Sequence, residues 1–507
     1  MARRRGTGGR KETAGHERAR FYRKLRHPFP PQTVFSEDEV ARLHDTALRV
    51  LEELGLFILC EEARQVLSGA GAVVRDDGIV LIGREIVAEA LRTAPKAWRL
   101  RARAPERAQD YETGAMLFMA GSGCPNVTDL ERGRRPGTLN DFEETLKLQQ
   151  AFDAIHCHGP SAEPQDVPVN LRHYAMMRAQ MTLGDKIPFV YARGRAQVKE
   201  SLEMLQLGLG LSAEEWDGGV WATTVINTNS PRQIDRPMAE GIMDFARAGQ
   251  MSIITPFCLA GAMAPVTVAG ALVLQHAEAL AAIALAQVTR PGAPVSYGGF
   301  SSNVDMKSGA PAFGSPEHIK LQLGAGQLAR HVGLPWRSAS GTASNTNDMQ
   351  AAQETTNGVW GAMLANATLI VHAAGWLEGG LTFGYEKFVN DMEAVQTLAE
   401  LARPTGAEAG DIGWDALAEV APGGHFFSTA HTMERYREAF YPPLVAEFSN
   451  YGTWAEAGAM PSDRRATEIW RRALAEVKPP AIAGEAEERL APWIAERTAA
   501  GGAAPSD

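Results

Sequence analysis

The sequence predicts an α/β protein built on a (β/α)8 barrel of the TIM type, with an N-terminal α+β cap and a C-terminal helical extension. Three observations carry this. Short apolar runs recur at Met116–Gly121, Ile155–Gly159, Ile187–Ala192, Gly219–Ile226, Met251–Phe257, Pro294–Phe300, Leu334–Ser340 and Thr368–Trp376, their starts 39, 32, 32, 32, 43, 40 and 34 residues apart. Several runs are apolar on both faces, as parallel strands covered on both sides read. A helical pattern follows each run, so strand and helix alternate over about 290 residues, the count of such a barrel. A doubly wound sheet is the competing fold, but no GxGxxG follows the first strand.

Taken in order, residues 1–35 are expected to be a basic, disordered arm. Residues 36–110 form the cap. Ser36-Glu37-Asp38-Glu39 opens a helix whose apolar face is Leu43, Ala47, Val50, Leu51 and Leu54, and Gly55 ends it. Gly69-Ala-Gly71 and Asp76-Asp77-Gly78 are turns around a short strand pair. Residues 111–402 form the barrel, where Thr138-Leu-Asn-Asp141 and Ser315-Pro316-Glu317 are helix starts, the second with Pro at the first helical position. Ala269–Val288 is Ala/Leu-rich with Glu278 as its only acid. Residues 403–475 add helices. Residues 476–507 read as a polar tail, disordered from Ala499.

The chain of 507 residues has the composition of a globular protein, 45% hydrophobic and 22% charged. Its net charge is −10, and residues 1–26 carry ten Lys/Arg against Glu12 and Glu17, so residues 27–507 carry −18. That balance argues against nucleic acid as a partner of the body. Cys60, Cys124, Cys157 and Cys258 form no CxxC, which fits a reducing cytoplasm and excludes a disulfide framework. Residues 248–277 contain no Asp, Glu, Lys or Arg, yet Pro256, Gly261 and Pro265 interrupt them. A buried strand, a loop and a helix start account for this better than a membrane span.

A barrel presents its chemistry at the C-terminal ends of the strands. There the sequence places His156 and His158, Tyr191 and Arg193, Phe257, Tyr297 and Phe300, Trp336, Arg337, His372, Trp376 and Glu378. No GxSxG, HExxH, Walker loop or recognisable Cys-His pair is present. His156 and His158 have strand spacing and share a side, with Cys157 on the other. A third ligand would make them a zinc site. None is identifiable, and the other reading is a neutral pair bonding a polar ligand or the core. Gly298-Gly299 and Gly379-Gly380 read as tight turns, with a phosphate cradle as the alternative. Aromatic residues are only 7% of the chain yet recur at the rim. Together they suit a quaternary ammonium, each ring face contributing about 0.5–2 kcal/mol.

The stretch Ser122-Gly-Cys-Pro-Asn-Val-Thr-Asp129, with Arg135-Pro-Gly-Thr138 and Asp141, resembles the trimethylamine methyltransferase family. So do residues 263–271, Gln287 with Arg290-Pro-Gly-Ala-Pro-Val-Ser-Tyr297-Gly, Val371-His-Ala-Ala-Gly-Trp-Leu-Glu-Gly379 with Tyr385-Glu-Lys387, and Gly424-His-Phe426 with His431-Thr432. The resemblance spans residues 35–475. It implies a TIM barrel and methyl transfer from an amine nitrogen to the Co(I) of a separate corrinoid protein, or to free cobalamin. Asp348-Met-Gln-Ala-Ala-Gln353 resembles the segment that holds pyrrolysine in the methanogen trimethylamine enzymes, but has only standard residues. That departure points to the branch resembling enzymes for glycine betaine and other quaternary amines.

A quaternary nitrogen already activates its methyl group, and its leaving group is a neutral amine, so no metal in the chain is expected. Tyr191, Tyr297, Trp376 and Phe383 are the candidate cage. Glu378 is placed to offset the cation, and His372 to position substrate. Arg193, Arg337, Asn345 and Asn347 are candidates for a substrate carboxylate. A homo-oligomer is expected. The other readings are a barrel lyase or hydrolase using His156, His158 and Glu378, and a non-catalytic betaine-binding protein.

Overall fold

The computed structural model describes residues 17–506. Its centre is a curled sheet of six parallel strands, β1 (Leu117–Phe118), β2 (Thr223–Ile226), β3 (Met251–Ile254), β4 (Val295–Gly298), β5 (Trp336–Ala339) and β6 (Leu369–Val371), hydrogen-bonded in the order β1-β6-β5-β4-β3-β2. Between the edge strands β1 and β2 run the segments around Cys157 and Ile187. They join neighbours only through isolated parallel bridges, Met119 to Cys157, Cys157 to Ile187 and Phe189 to Thr223. Each predicted apolar run thus holds a strand or a bridge. The sheet residues are buried on both faces, which is why they read as continuous apolar runs.

Helices follow the strand segments: α1 (Leu139–Ala151), α2 (Arg172–Leu183), α3 (Arg195–Leu209), α4 (Arg236–Ala248), α5 (Val268–Thr289), α6 (Pro316–His331), α7 (Met349–Leu364) and α8 (Tyr385–Leu401). The predicted start signals work as caps. The Thr138 hydroxyl accepts from the Asp141 amide, and the Asp141 carboxylate accepts from the Thr138 amide. The Ser315 hydroxyl accepts from the His318 amide, with Pro316 behind it.

The charge-free stretch at 248–277 resolves into β3, a loop and the start of α5. Helix α5 is long and apolar enough to cross a membrane, but 78% of its most apolar window is buried inside the protein. It is apolar all round because the sheet covers one side and the cap helices Glu37–Arg49 and Arg84–Thr93 the other. The Glu37–Arg49 helix starts at Ser36 with Glu39 completing a capping box, and buries Leu43 and Ala47. Leu54 departs from the expected face and is exposed. The last turn, Val50–Leu54, closes a wider hydrogen-bonded ring from the Gly55 amide to the Val50 carbonyl, which rotates Leu54 off the apolar stripe. The cap is stitched on by Leu56–Ile58, which pairs in parallel with Gln233–Ile234 from the loop after β2.

Two expectations of disorder are corrected. Residues 17–35 are ordered, although residues 1–16 of the basic arm lie outside the described residues. Tyr22 and Leu25 are buried, and backbone bonds join Leu25 to Met116 and His27 to Gly114 at the starts of the strands. Burial of these two apolar residues outweighs the local excess of charge. Beyond residue 476, α10 (Ala483–Ala499) packs on α2 and α3, while α9 (Ser462–Glu476) packs on α8 and α1. Even residues 503 and 506 bond to Asn170 and Arg193 backbone. Ala486 and Leu490 supply the buried stripe that the small-residue composition obscured.

Candidate functional site

A cavity of about 640 Å³ opens at the C-terminal ends of the strands. Its wall draws on Met119 and Ser122 after β1, Pro160, Tyr191 and Arg193 on the bridged segments, Val225 on β2 and Asn227 to Ser230 after it, Phe257 after β3, Phe300 after β4, Arg337 on β5, and His372 and Trp376 after β6. Gly379, Gly380 and Leu381 form its outer edge. Gly380 has φ 105°, and a Cβ there would lie 2.4 Å from the Trp376 indole, so the chain passes the ring only as glycine.

The aromatic wall is one packed group. His372 stacks on Trp376 with ring centroids 4.4 Å apart and planes 16° apart. Phe300 sits 5.5 Å from Trp376 and 5.2 Å from His372. On the facing side Tyr191 packs edge-on to Phe189, and the Arg193 guanidinium lies over the Tyr191 ring at 4.2 Å. His372 holds a left-handed backbone, φ 56°, and its Nδ1 accepts from the Ser122 amide at 3.3 Å. Burial and the charge of Arg337 push its pKa well below the ordinary 6.5. The ring is therefore neutral, with the proton on Nε2.

Among the described residues, the charged side chains in the cavity wall are two arginines. Arg193 is ion-paired with Glu163. Arg337 is 1% exposed and has no ion pair among the described residues. Its Nη1 makes one long bond, 3.4 Å to the Gly299 carbonyl, its Nε has no partner, and the guanidinium lies 5.2 Å from the Phe300 ring centre. Burial without a counter-charge pulls its pKa down to about 9. The Thr228 and Ser230 hydroxyls are turned away from the cavity, donating to Glu278 at 2.5 and 2.7 Å. Glu278 lies behind the wall, fully buried, its pKa raised by that burial and moderated by these donors.

Of the side chains singled out in the sequence, Tyr191, Arg193, Phe257, Phe300, Arg337, His372 and Trp376 meet in this cavity. The others do not, and each for a local reason. Tyr297 points outward from the sheet, its hydroxyl bonded to His276 Nδ1 on α5 at 3.0 Å. It pairs across the sheet with Trp336, whereas Gly298 pairs with Arg337 and shares its inward phase. Two residues on, in that same phase, Phe300 takes the place expected of Tyr297. Phe383 is buried between Tyr385 and Phe388. His156 and His158 do share a side, but it is the outer one. His156 accepts from the Phe118 amide and meets the Tyr22 carbonyl, while His158 lies against Gly184 at the end of α2. Burial drives both pKa values down to about 3. Among the described residues no three of His, Cys, Asp and Glu cluster as metal ligands.

Glu378 sits outside the cavity wall, held by Arg134 through Nε and Nη2 at 2.9 Å. Asn345 is exposed, and neither it nor Asn347 reaches the cavity. The 348–353 segment opens α7, with Asp348 as its cap. Phe300, Phe257 and Phe189 complete the wall without having been assigned to the cage. Strand phase was the signal that could have moved Phe300, already placed at the rim, into the cage.

An α/β protein with an aromatic, arginine-bearing cavity over a parallel sheet has the form of a small-molecule enzyme. The chain belongs to the trimethylamine methyltransferase (MTTB) family, whose model matches residues 2–502. It is similar to a glycine betaine methyltransferase of Desulfitobacterium hafniense strain Y51, 34% identical over 92% of this chain and 98% of that protein. It also matches a proline betaine:corrinoid methyltransferase of Eubacterium limosum, 28% identical over 80% of this chain and 84% of that one. Among solved structures, the monomethylamine methyltransferase MtmB of Methanosarcina barkeri aligns with a TM-score of 0.48 at 11% identity, covering 92% of each chain.

Proposed function

We propose that this methyltransferase takes a methyl group from a betaine, a quaternary amine that carries a carboxylate, and delivers it to the Co(I) of a corrinoid protein docked at the cavity mouth. The observation that carries the reading is Arg337, a buried cation without a counter-charge facing an aromatic cavity. Such a group is costly to keep unless a ligand completes it. A carboxylate on Arg337 leaves the trimethylammonium among Trp376, Phe300 and Tyr191, whose ring faces attract a cation. The names of the two betaine relatives agree with this choice.

The chemistry asks little of the chain beyond orientation. The C–N bond breaks with its electron pair staying on nitrogen, so the product is a neutral tertiary amine that needs no proton. The corrinoid supplies the nucleophilic electron pair at cobalt. The residues of this chain hold the methyl in line, exclude water and fix the carboxylate end. His372, neutral and stacked on Trp376, holds the indole in place. A lyase or hydrolase using His156, His158 and Glu378 finds no support, because the three are not brought together.

The same reading treats the curled sheet as a closed eight-stranded barrel. Support comes from the single bridges at Cys157, Ile187 and Phe189, which span the gap between β1 and β2. The deciding experiment incubates the protein and cob(I)alamin with a panel of quaternary amines and follows methylcobalamin by absorbance. Glycine betaine or a related betaine should react. No methylcobalamin with any amine would sink the reading.

A further inference from the structure

Between residues 404 and 460 the chain leaves the α8 helix and forms only short helices, Ala409–Ile412, Trp414–Glu419, Ala430–Arg435 and Tyr451–Glu456. Across this whole stretch only Ala416, Thr429 and Val445 are buried. Its large apolar side chains face outward: Trp414 is 71% exposed, Phe427 79%, Tyr436 49%, Phe440 81%, Phe448 82% and Tyr451 79%. At roughly 200 Å² per aromatic side chain, these six present about 900 Å². A stable interface takes about 800 Å² from each partner, so the rings exposed along this stretch together supply enough area for one. The Gly424–His431 motif that the sequence singled out, with no place in the cavity, falls in this stretch.

We propose that residues 412–451 are an interface with a second copy of this chain. The competing occupants fit less well. Residues 1–16 contain no Leu, Ile, Val, Phe, Tyr or Trp and cannot cover an aromatic patch. A corrinoid protein must reach the cavity, whereas residues 440–445 of the stretch are anchored away from it, towards the other end of the sheet. Tyr441 Oη and the Val445 amide bond to Glu393, midway along α8, at 2.7 and 2.6 Å. Arg18 donates to the Phe440 carbonyl at 2.8 Å and pairs with Glu400. Arg18 belongs to the segment that runs alongside the strand starts through Leu25 and His27. An aromatic surface of this size needs a permanent partner, whereas a methyl acceptor must come and go. The exposed aromatic surface stands apart from the methyl-transfer reading, and only the exclusion of a corrinoid partner rests on it.

Sedimentation of the full chain over a wide concentration range tests it. The unaltered protein should sediment as an oligomer. A Phe427→Asp, Phe440→Asp, Phe448→Asp variant should sediment as a monomer with the same circular dichroism. A monomeric unaltered protein, or a folded variant that still assembles, would overturn the proposal. If the variant does not fold, hydrogen exchange on the unaltered protein decides. Amides in 412–451 should lose protection on dilution, and protection independent of concentration, or gained only when a corrinoid protein is added, would overturn it.

Discussion

Replacing Arg337 by Met separates the two ends of a bound betaine. The side chain is 1% exposed and, among the described residues, lacks an ion pair and leaves Nε without a partner. A carboxylate bonded to it is therefore held in a desolvated pair. Truncating one member of such a pair costs about 2–5 kcal/mol, roughly a 30- to 5,000-fold loss of affinity. The loss should appear in Kd by calorimetry for glycine betaine and be nearly absent for tetramethylammonium, which has no carboxylate to lose. Stability should move the other way. A guanidinium held at about 9 instead of 12.5 corresponds to a burial penalty of at most about 5 kcal/mol. Its folded pKa is depressed, so the penalty is complete below pH 9 and fades as pH rises toward 12.5. At pH 7 the Met variant should thus melt higher than the parent while binding betaine worse. Equal losses for both amines, or a lower Tm, would show that Arg337 serves packing and not a carboxylate.

Three further outcomes follow from the same geometry. Trp376→Ala and Phe300→Ala should each weaken binding of any quaternary amine by about 2- to 30-fold, the value of one ring face, whereas Tyr297→Phe, altering a residue on the outer side of the sheet, should leave Kd unchanged; a loss in the Tyr297 variant would restore it to the cage. The KM for betaine should be flat below pH 9 and climb above it, because substrate needs the protonated Arg337, whose pKa lies at about 9; in a pH series tetramethylammonium should show no such rise. Glu378→Gln breaks a rim ion pair with Arg134, itself half exposed, so kcat/KM should change less than about fivefold, exposed pairs contributing up to about 1 kcal/mol.

The strand periodicity was legible because parallel strands covered on both sides carry long apolar runs, and the helix starts because capping is local chemistry. Strand ends were legible too, which is how Tyr191, Arg193, Arg337, His372 and Trp376 reached the same cavity. What the runs do not encode is phase. A strand apolar on both faces gives no contrast between in and out, so Tyr297 and the 156/158 histidines read as rim residues although they face the outer layer. On β4 the contrast lies in a glycine, Gly298, opposite Arg337. A Cβ there would lie 2.3 Å from the Ile254 carbonyl oxygen. The inward position is thus the small one, and the ring that enters the cavity comes two residues later, at Phe300.

Net charge was a poorer guide than its sign suggested. Residues 27–507 carry −18, a balance compatible with a cationic substrate, yet no carboxylate lines the cavity among the described residues. Glu163 is taken up by Arg193 and Arg172, Glu278 by hydroxyls and an amide behind the wall, and Glu378 by Arg134. A free carboxylate in the wall would hold the ammonium but would also pair with Arg337, neutralising the one group able to choose a betaine over a simple amine. Ring faces attract the cation without competing for the guanidinium. On the proposed betaine reading, a wall without acids is what would let one small cavity bind both ends of a zwitterion, with Arg337 as the residue on which that discrimination would rest.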